Sequence, residues 1–257
     1  MYYSNIHAVV TGGANGIGRC IGEAFLGAGA AVTVIDTDQD TGVAFRHRFE
    51  RLRFFHGDIA EKAVLETFSA SLDRPVDCLI HNACLSRGGL LSGCSWADFE
   101  YVQRVGVTAP FYLTNLLLRR ELLAPSASIV NIASTRAFQS QPDTESYSAA
   151  KGGIAALTHA MAVSLAGRAR VNCISPGWIE TADWHEGTEP PCHSESDNLQ
   201  HPSGRVGRPE DIAAMVLFLC DNERAGFITG ENINIDGGMS KLMVYHGDCG
   251  WKLEGRE

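Results

Sequence analysis

The chain has no C-x-x-C pair, no run of about 18 apolar residues, no internal repeat and no domain-scale linker. It is also short of positive charge, with 21 Lys and Arg against 30 Asp and Glu, a formal net charge of −9. Each lack excludes something. A protein that grips a phosphate backbone needs a basic face, so nucleic acid is not an expected partner, and an anionic membrane surface is disfavoured for the same reason. Without a long apolar run no membrane span is expected. Met1–Asn5 carries no basic segment and no long apolar stretch comes before Thr11, so no secretion signal is expected. Of the eight cysteines (Cys20, Cys78, Cys84, Cys94, Cys173, Cys192, Cys220 and Cys249), four lie in or beside apolar runs. Reduced core thiols, and hence the cytoplasm, account for them better than disulfides or zinc. His185, Cys192, His193 and His201 match no standard zinc spacing, and no metal is expected.

What remains is ordinary globular composition, 45% hydrophobic and 20% charged over 257 residues. That suits one large domain spanning 1–257. Ile6–Thr11, Ala31–Asp36, Val76–Asn82, Ser128–Ser134, Val171–Ser175 and Asn232–Asp236 read as strands. Between them Gly16–Gly29, Ala60–Leu72, Trp96–Leu123, Ser146–Gly167 and Pro209–Asp221 have helical length. This alternation implies an α/β fold whose parallel sheet is covered on both faces. The polar stretch 178–207 holds Pro190, Pro191 and Pro202 and reads as a substrate lid. A tail at 241–257, with Tyr245, Cys249 and Trp251, is expected to cover a pocket or a subunit interface.

Three local patterns carry chemistry. The first is Thr11-Gly12-Gly13-Ala14-Asn15-Gly16-Ile17-Gly18, between the first strand and the first helix. Glycines there allow a tight turn and close backbone approach, and the helix opens with free N–H groups that suit a pyrophosphate. A lone glycine loop is weak evidence, but the strand–loop–helix setting strengthens it. The second is Asp36, which closes the second strand 18 residues past Gly18. A carboxylate there accepts hydrogen bonds from an adenosine ribose. It repels a 2′-phosphate by roughly 4 kcal/mol per unit charge at about 4 Å and a dielectric near 20. Asn15 and Thr37 supply no offsetting cation. Arg46, His47, Arg48, Arg51 and Arg53 read as a solvated helix face and the strand after it, too far along to help. NAD is the expected cofactor. The third pattern is Tyr147-Ser148-Ala149-Ala150-Lys151. One helical turn apart, a phenol and an ammonium share a face. The cation stabilises the phenolate, so the pair can move a proton. Ser134, at the end of a strand, can hold a substrate oxygen beside the phenol.

Taken together these residues resemble the short-chain dehydrogenase/reductase family over about residues 6 to 240. The likeness rests on the glycine loop, Asp58-Ile59, Asn82-Ala83, Ser134, Tyr147-x-x-x-Lys151, Pro176-Gly177 and Asp236-Gly237-Gly238. The resemblance implies a Rossmann-type three-layer α/β/α sandwich, a seven-stranded parallel sheet of order 3-2-1-4-5-6-7, and a homo-oligomer, dimer or tetramer. By the same resemblance Asp58 and Ile59 contact adenine, and Asn82 and Ala83 pack near the adenosine ribose. Lys151 bonds the nicotinamide ribose. Ile179 and Thr181, after Pro176-Gly177, hold the carboxamide.

Two positions depart from the family pattern. Cys84 stands where the family has glycine after Asn-Ala. Gly106, in Val105-Gly106-Val107-Thr108-Ala109-Pro110-Phe111, stands where the family has its fourth catalytic residue, an asparagine. In the family that residue's carbonyl holds a water that relays protons to the lysine. Glycine keeps the carbonyl and loses the amide. Either the relay survives through Gly106, or Arg104 or His81 supplies it, or the site has degraded. The implied reaction is hydride transfer between NAD and a secondary alcohol or ketone, with Arg136, Trp178 and Trp184 as candidate substrate contacts. Two competing readings are an NADPH-linked ketoacyl-type reductase and a catalytically impaired dinucleotide sensor. Asp36 speaks against the first, and the intact Ser134, Tyr147 and Lys151 against the second.

Overall fold

The computed structural model describes residues 3–185, 187–189 and 191–243. Seven parallel strands form one sheet: β1 (His7–Thr11), β2 (Ala31–Asp36), β3 (Leu52–His56), β4 (Val76–His81), β5 (Leu123–Ile132), β6 (Ala169–Pro176) and β7 (Asn232–Ile235). Their order is β3-β2-β1-β4-β5-β6-β7. Register runs straight across the middle, with Val10 opposite both Val34 and Ile80, and Ile80 opposite Val130.

The central strands are apolar on both sides because both faces are covered. Side chains alternate along a strand, so neighbours part company. Val10, Ile80 and Val130 join Ile21 and Phe25 of α1 (Gly16–Gly27) and Ile212 and Val216 of α8 (Pro209–Cys220) in one core. Val9, Leu79 and Ile129 face the other way. They meet Phe68 of α3 (Lys62–Ser71), Leu113 and Leu117 of α5 (Ala109–Arg119), and Met161 of α6 (Glu145–Ser164). Cys20, Cys78, Cys173 and Cys220 are buried, and the described cysteines are free. The chain reverses its direction of winding between β1 and β4, which opens a crevice at the carboxyl edge of the sheet.

Several boundaries differ from the sequence reading. The long helix expected at Trp96–Leu123 is broken into α4 (Trp96–Gln103), a π-helical turn at Arg104–Thr108, and α5. β5 begins earlier than expected and stops at Ile132, so Ser134 lies beyond the strand. It caps a 3-10 turn at Thr135–Ala137. The arginine-rich stretch forms the end of α2 (Gln39–Arg48) and β3. There Arg48 reaches Glu23 at 3.3 Å, Arg53 reaches Asp73 at 2.7 Å, and Arg51 donates to the Gly29 carbonyl at 2.6 Å. The 178–207 stretch, expected from the sequence to be a lid, carries a 3-10 turn at Ala182–Trp184 and the short helix α7 (Glu195–Leu199). A parallel bridge between Ile179 and Gly207 closes its base. The tail beyond Met243, including Tyr245, Cys249 and Trp251, lies outside the described residues. Among the described residues no helix is long and apolar enough to cross a membrane.

Candidate active site

The glycine loop is shaped by what stands beside it. Gly12 has φ +64, and a Cβ there would sit 2.8 Å from the Ala83 Cα. A Cβ on Gly18 would run into the Gly12 carbonyl oxygen. Asn82 braces the same turn: its Nδ2 donates to the Thr11 and Gly12 carbonyls at 3.1 and 2.9 Å. The Thr11 hydroxyl oxygen in turn accepts the backbone N–H groups of Asn82 and Ala83 at 3.1 and 3.2 Å. Adjacent strand ends are thus laced together, and the loop is held open as a cradle of backbone.

Asp36 sits at the tip of β2 on the cleft wall. Its two oxygens accept the backbone N–H groups of Ala14 and Asp38 at 2.9 and 3.0 Å. Those bonds fix the carboxylate as an acceptor aimed along the cleft edge. Asn15, instead of capping α1, donates its amide to Asp38 at 2.8 Å. Farther along the wall Asp58 accepts from Ala60 N at 2.8 Å and from the Tyr101 hydroxyl at 2.7 Å. Burial, and then the Asp58 carboxylate, push the Tyr101 phenol above its ordinary range. The Arg87 guanidinium stands 4.2 Å from the centre of the Tyr101 ring. Tyr101 was missed by the sequence reading. Its partner is 43 positions upstream, and no local pattern marks it.

At the other end of the cleft Ser134, Tyr147 and Lys151 come together. Ser134 is 8% exposed, and its Oγ accepts the Arg136 N–H at 3.1 Å. A hydroxyl has two acceptor sites and one O–H donor, so the donor stays free for a ligand oxygen. Lys151, 4% exposed, donates from Nζ to the Ile132 carbonyl at 2.7 Å and lies 5.4 Å from the centre of the Tyr147 ring. The Arg136 guanidinium is 5.8 Å from the same ring and bonds Gln141. Two cations therefore flank the phenol.

Of the residues proposed for the cofactor, Gly12, Asn15, Gly16, Ile17, Asp36, Asp58, Ile59, Asn82, Ala83, Pro176, Gly177, Ile179 and Thr181 all line one cleft of about 560 Å3 with the three chemical residues. Gly18 is buried beneath the loop. Cys84, the departure next to Asn82-Ala83, also lines the cleft, and so do Tyr101 and His185, which no sequence pattern marks for it. Trp178 and Trp184 do not line it. Trp178 leans on His193, 5.5 Å between ring centres, and Trp184 packs onto the core beside α1.

Gly106 also stands back from the cleft, at the middle of the π-helical turn. Ala109 N–H bonds the Arg104 carbonyl, an i+5 bond. Pro110 lies four residues past Gly106 and has no N–H to give, so the Gly106 carbonyl lacks its α-helical donor. The missing side chain has its own reason: a Cβ at Gly106 would lie 2.8 Å from the Ala150 Cβ and 3.7 Å from the Cys84 sulfur. Ala150 precedes Lys151, so the glycine lets the π turn press against the helix that carries Tyr147 and Lys151. His81 and Arg104 do not fit a relay to the lysine. His81 is buried, bonds the Thr114 hydroxyl at 3.0 Å, and is pushed down to about 3 by burial, so it stays neutral. Arg104 points toward Glu61, 3.7 Å away.

A doubly wound sheet with a phosphate cradle at its switch point and a Ser, Tyr and Lys beside it defines a dinucleotide-type oxidoreductase site. Residues 12–240 match the family model described as enoyl-(acyl carrier protein) reductase. The chain is 41% identical to an uncharacterized oxidoreductase of Thermotoga maritima, over 93% of this chain and 97% of that one. It is 33% identical to the 3-oxoacyl-[acyl-carrier-protein] reductase FabG of Chlamydia pneumoniae, over 90% and 96%. A solved structure described as an apo SCOR enzyme from Clostridium thermocellum superposes with a TM-score of 0.87, at 45% identity and over 98% and 100% of the two chains. The chain belongs to the short-chain dehydrogenase/reductase family.

Proposed function

We propose that the protein interconverts a secondary alcohol and its ketone with NAD(H). The observation that carries this reading is the meeting of Ser134, Tyr147 and Lys151 in the same cleft as the glycine loop and Asp36. The cradle fits a dinucleotide: backbone approach is open at Gly12, and the α1 N-terminus has no side-chain cap. When bound, the nicotinamide supplies the hydride acceptor or donor.

The chain's own groups do the rest. The Ser134 O–H is free to donate to the substrate oxygen. Tyr147 takes the alcohol proton in oxidation and returns it in reduction. Lys151 and Arg136, both near the Tyr147 ring, stabilise the phenolate that is present before the alcohol proton is taken and after it is returned. One N–H of Lys151 is committed to Ile132, which leaves two for the ribose and for a proton relay. The Gly106 carbonyl, without an α-helical donor, is the acceptor offered to that relay. Ile179 and Thr181 hold the carboxamide, and Asp58 and Ile59 the adenine. Asp36 favours NAD over NADP because a 2′-phosphate would meet its charge. Arg136, beside the phenol, suits an acidic or polyhydroxylated substrate. Four buried free thiols suit a cytoplasmic setting. Exposed Phe111 and Val163, on α5 and α6, suit a homo-oligomer.

A second reading, a ketoacyl-type reductase, has the Chlamydia relative in its favour. The test is turnover of secondary alcohols, sugars, hydroxy acids and 3-oxoacyl thioesters with NAD(H) and with NADP(H). Preference for NAD(H) on a non-thioester substrate, lost in Tyr147→Phe, is the expected result. Preference for NADPH with the thioester overturns it in favour of the second reading. Tight NAD binding with no turnover overturns it in favour of a sensor.

A further inference from the structure

The lid turn after Thr181 leans back over the glycine loop, and its last residue reaches a place that the fold leaves without a side chain. His185 follows the 3-10 turn Ala182–Trp184 and is exposed on the cleft wall. Its Cε1 lies 3.5 Å from the point where a Cβ on Gly16 would stand. Gly16 opens α1, a helix of 12 residues, and the residue before it, Asn15, spends its amide on Asp38 and makes no cap. The first-turn N–H groups of α1 are therefore covered by no side chain of their own loop. The imidazole stands beside Gly16, the first residue of that helix.

The ring is already oriented. Nδ1 bonds the Thr181 carbonyl at 2.8 Å. A carbonyl only accepts, so Nδ1 carries the proton, and Nε2 is the ring atom left to meet a ligand. As an imidazolium it donates there. The Asp38 carboxylate lies close enough to interact electrostatically with the ring. A second depression is lined by His185 together with Arg19, Glu23, Arg48 and Asp183. These charges are of both signs, and Arg19 and Arg48 are already drawn to Glu23, at 3.4 and 3.3 Å. His185 thus stands beside Gly16 on the wall of the same cleft.

We propose that the protonated His185 ring binds the pyrophosphate of the dinucleotide through Nε2–H, so that the anion meets the α1 N–H groups and the imidazolium together. This rests on the dinucleotide reading of the cleft. It assigns a cofactor contact to a residue that lies outside the glycine loop, and it makes the lid a part of the phosphate site.

The test is calorimetric titration of the full chain with NAD, ADP and adenosine, the last by competition, for the unaltered protein and for His185→Ala and His185→Lys. His185→Ala is expected to weaken NAD and ADP about tenfold and to leave adenosine unchanged. His185→Lys, which places an ammonium donor there, is expected to recover most of the loss. Unchanged NAD affinity in His185→Ala overturns the proposal. So does an equal loss for adenosine, which would mark a role in lid packing alone. Failure of the unaltered protein to bind any dinucleotide overturns the cofactor reading itself, and the proposal with it.

Discussion

Replacing Gly106 with alanine puts a methyl group 2.8 Å from the Ala150 Cβ. Carbon atoms in good contact sit at about 3.5–4.0 Å. Neither methyl can rotate away, so the π turn and α6 must separate by roughly 1 Å or strain in place. Overpacking of this kind costs about 1–3 kcal/mol. Alanine regains up to about 1 kcal/mol in helix preference over glycine. With a contact this short the cost belongs near the top of its range, and the net loss is about 1–2 kcal/mol. In a chain of this size that is a fall in Tm of roughly 2–8 °C. The effect on chemistry is larger, because α6 carries Tyr147 and Lys151. A 1 Å misplacement can cost about a hundredfold, so kcat is expected to fall at least tenfold. Gly106→Asn adds an amide next to the Cys84 sulfur and should be worse on both counts. Urea denaturation and steady-state kinetics measure the two effects. A companion variant, Gly106→Ala with Ala150→Gly, removes the colliding methyl and should recover much of the lost kcat. Gly106→Ala as stable and as active as the unaltered protein would refute the reasoning, and so would a large gain in turnover for Gly106→Asn.

Three further outcomes are expected. Lys151→Met removes a charge 5.4 Å from the Tyr147 ring. Without that cation beside the phenol, kcat at neutral pH is expected to fall at least tenfold, and a loss under threefold would remove the lysine from the chemistry. Asp36→Asn takes away the charge set against a 2′-phosphate and should shift the NADP-to-NAD ratio of kcat/KM upward more than tenfold; an unchanged ratio would show that Asp36 does not discriminate. His81 is held at about 3 by burial, against about 6.5 in an unfolded chain. The unfolded state then binds the extra proton between those values, so this contribution is constant above about pH 6.5. It is lost by up to about 1.4 kcal/mol per pH unit as the pH falls toward 3. His7 is lowered by burial as well and acts in the same direction. Urea midpoints for His81→Gln should show a shallower acid slope than the unaltered protein, and an equal slope would place the proton elsewhere.

The parts of the site that could be read from the chain are those coded by short spacing. Gly12 to Gly18 stand in one turn, and Tyr147 and Lys151 stand one helical turn apart. Asp36 ends a strand whose apolar run is plain. What could not be read depends on contacts between distant segments. Tyr101 acquires a role only when α4 lies against Asp58. His185 acquires one only when the lid folds back on Gly16. Trp178 and Trp184, large aromatics in a polar stretch, invite a reading as substrate contacts, and the structure sets Trp178 against His193 and Trp184 on the core, with neither lining the cleft. The π turn did leave a mark. Pro110, four residues past Gly106, denies that carbonyl its donor, and a break in the long helix follows. Ser134 reads as the last residue of a strand because alternation does not reveal where pairing stops. The partner strand β6 pairs only as far as Ile132.

The bond from Lys151 to the Ile132 carbonyl yokes two groups of unlike origin. Ile132 ends β5, and Ser134 is the second residue beyond it. The ammonium and the hydroxyl therefore take their bearings from the same strand tip, although one arrives on a helix and the other on a loop. Any displacement of that tip carries both, and with them Arg136, whose N–H bonds the Ser134 hydroxyl, while α7 lines no part of the cleft. On the proposed reading, the proton-handling groups are thus anchored to one strand tip, and the outer part of 178–207 is free to vary around them.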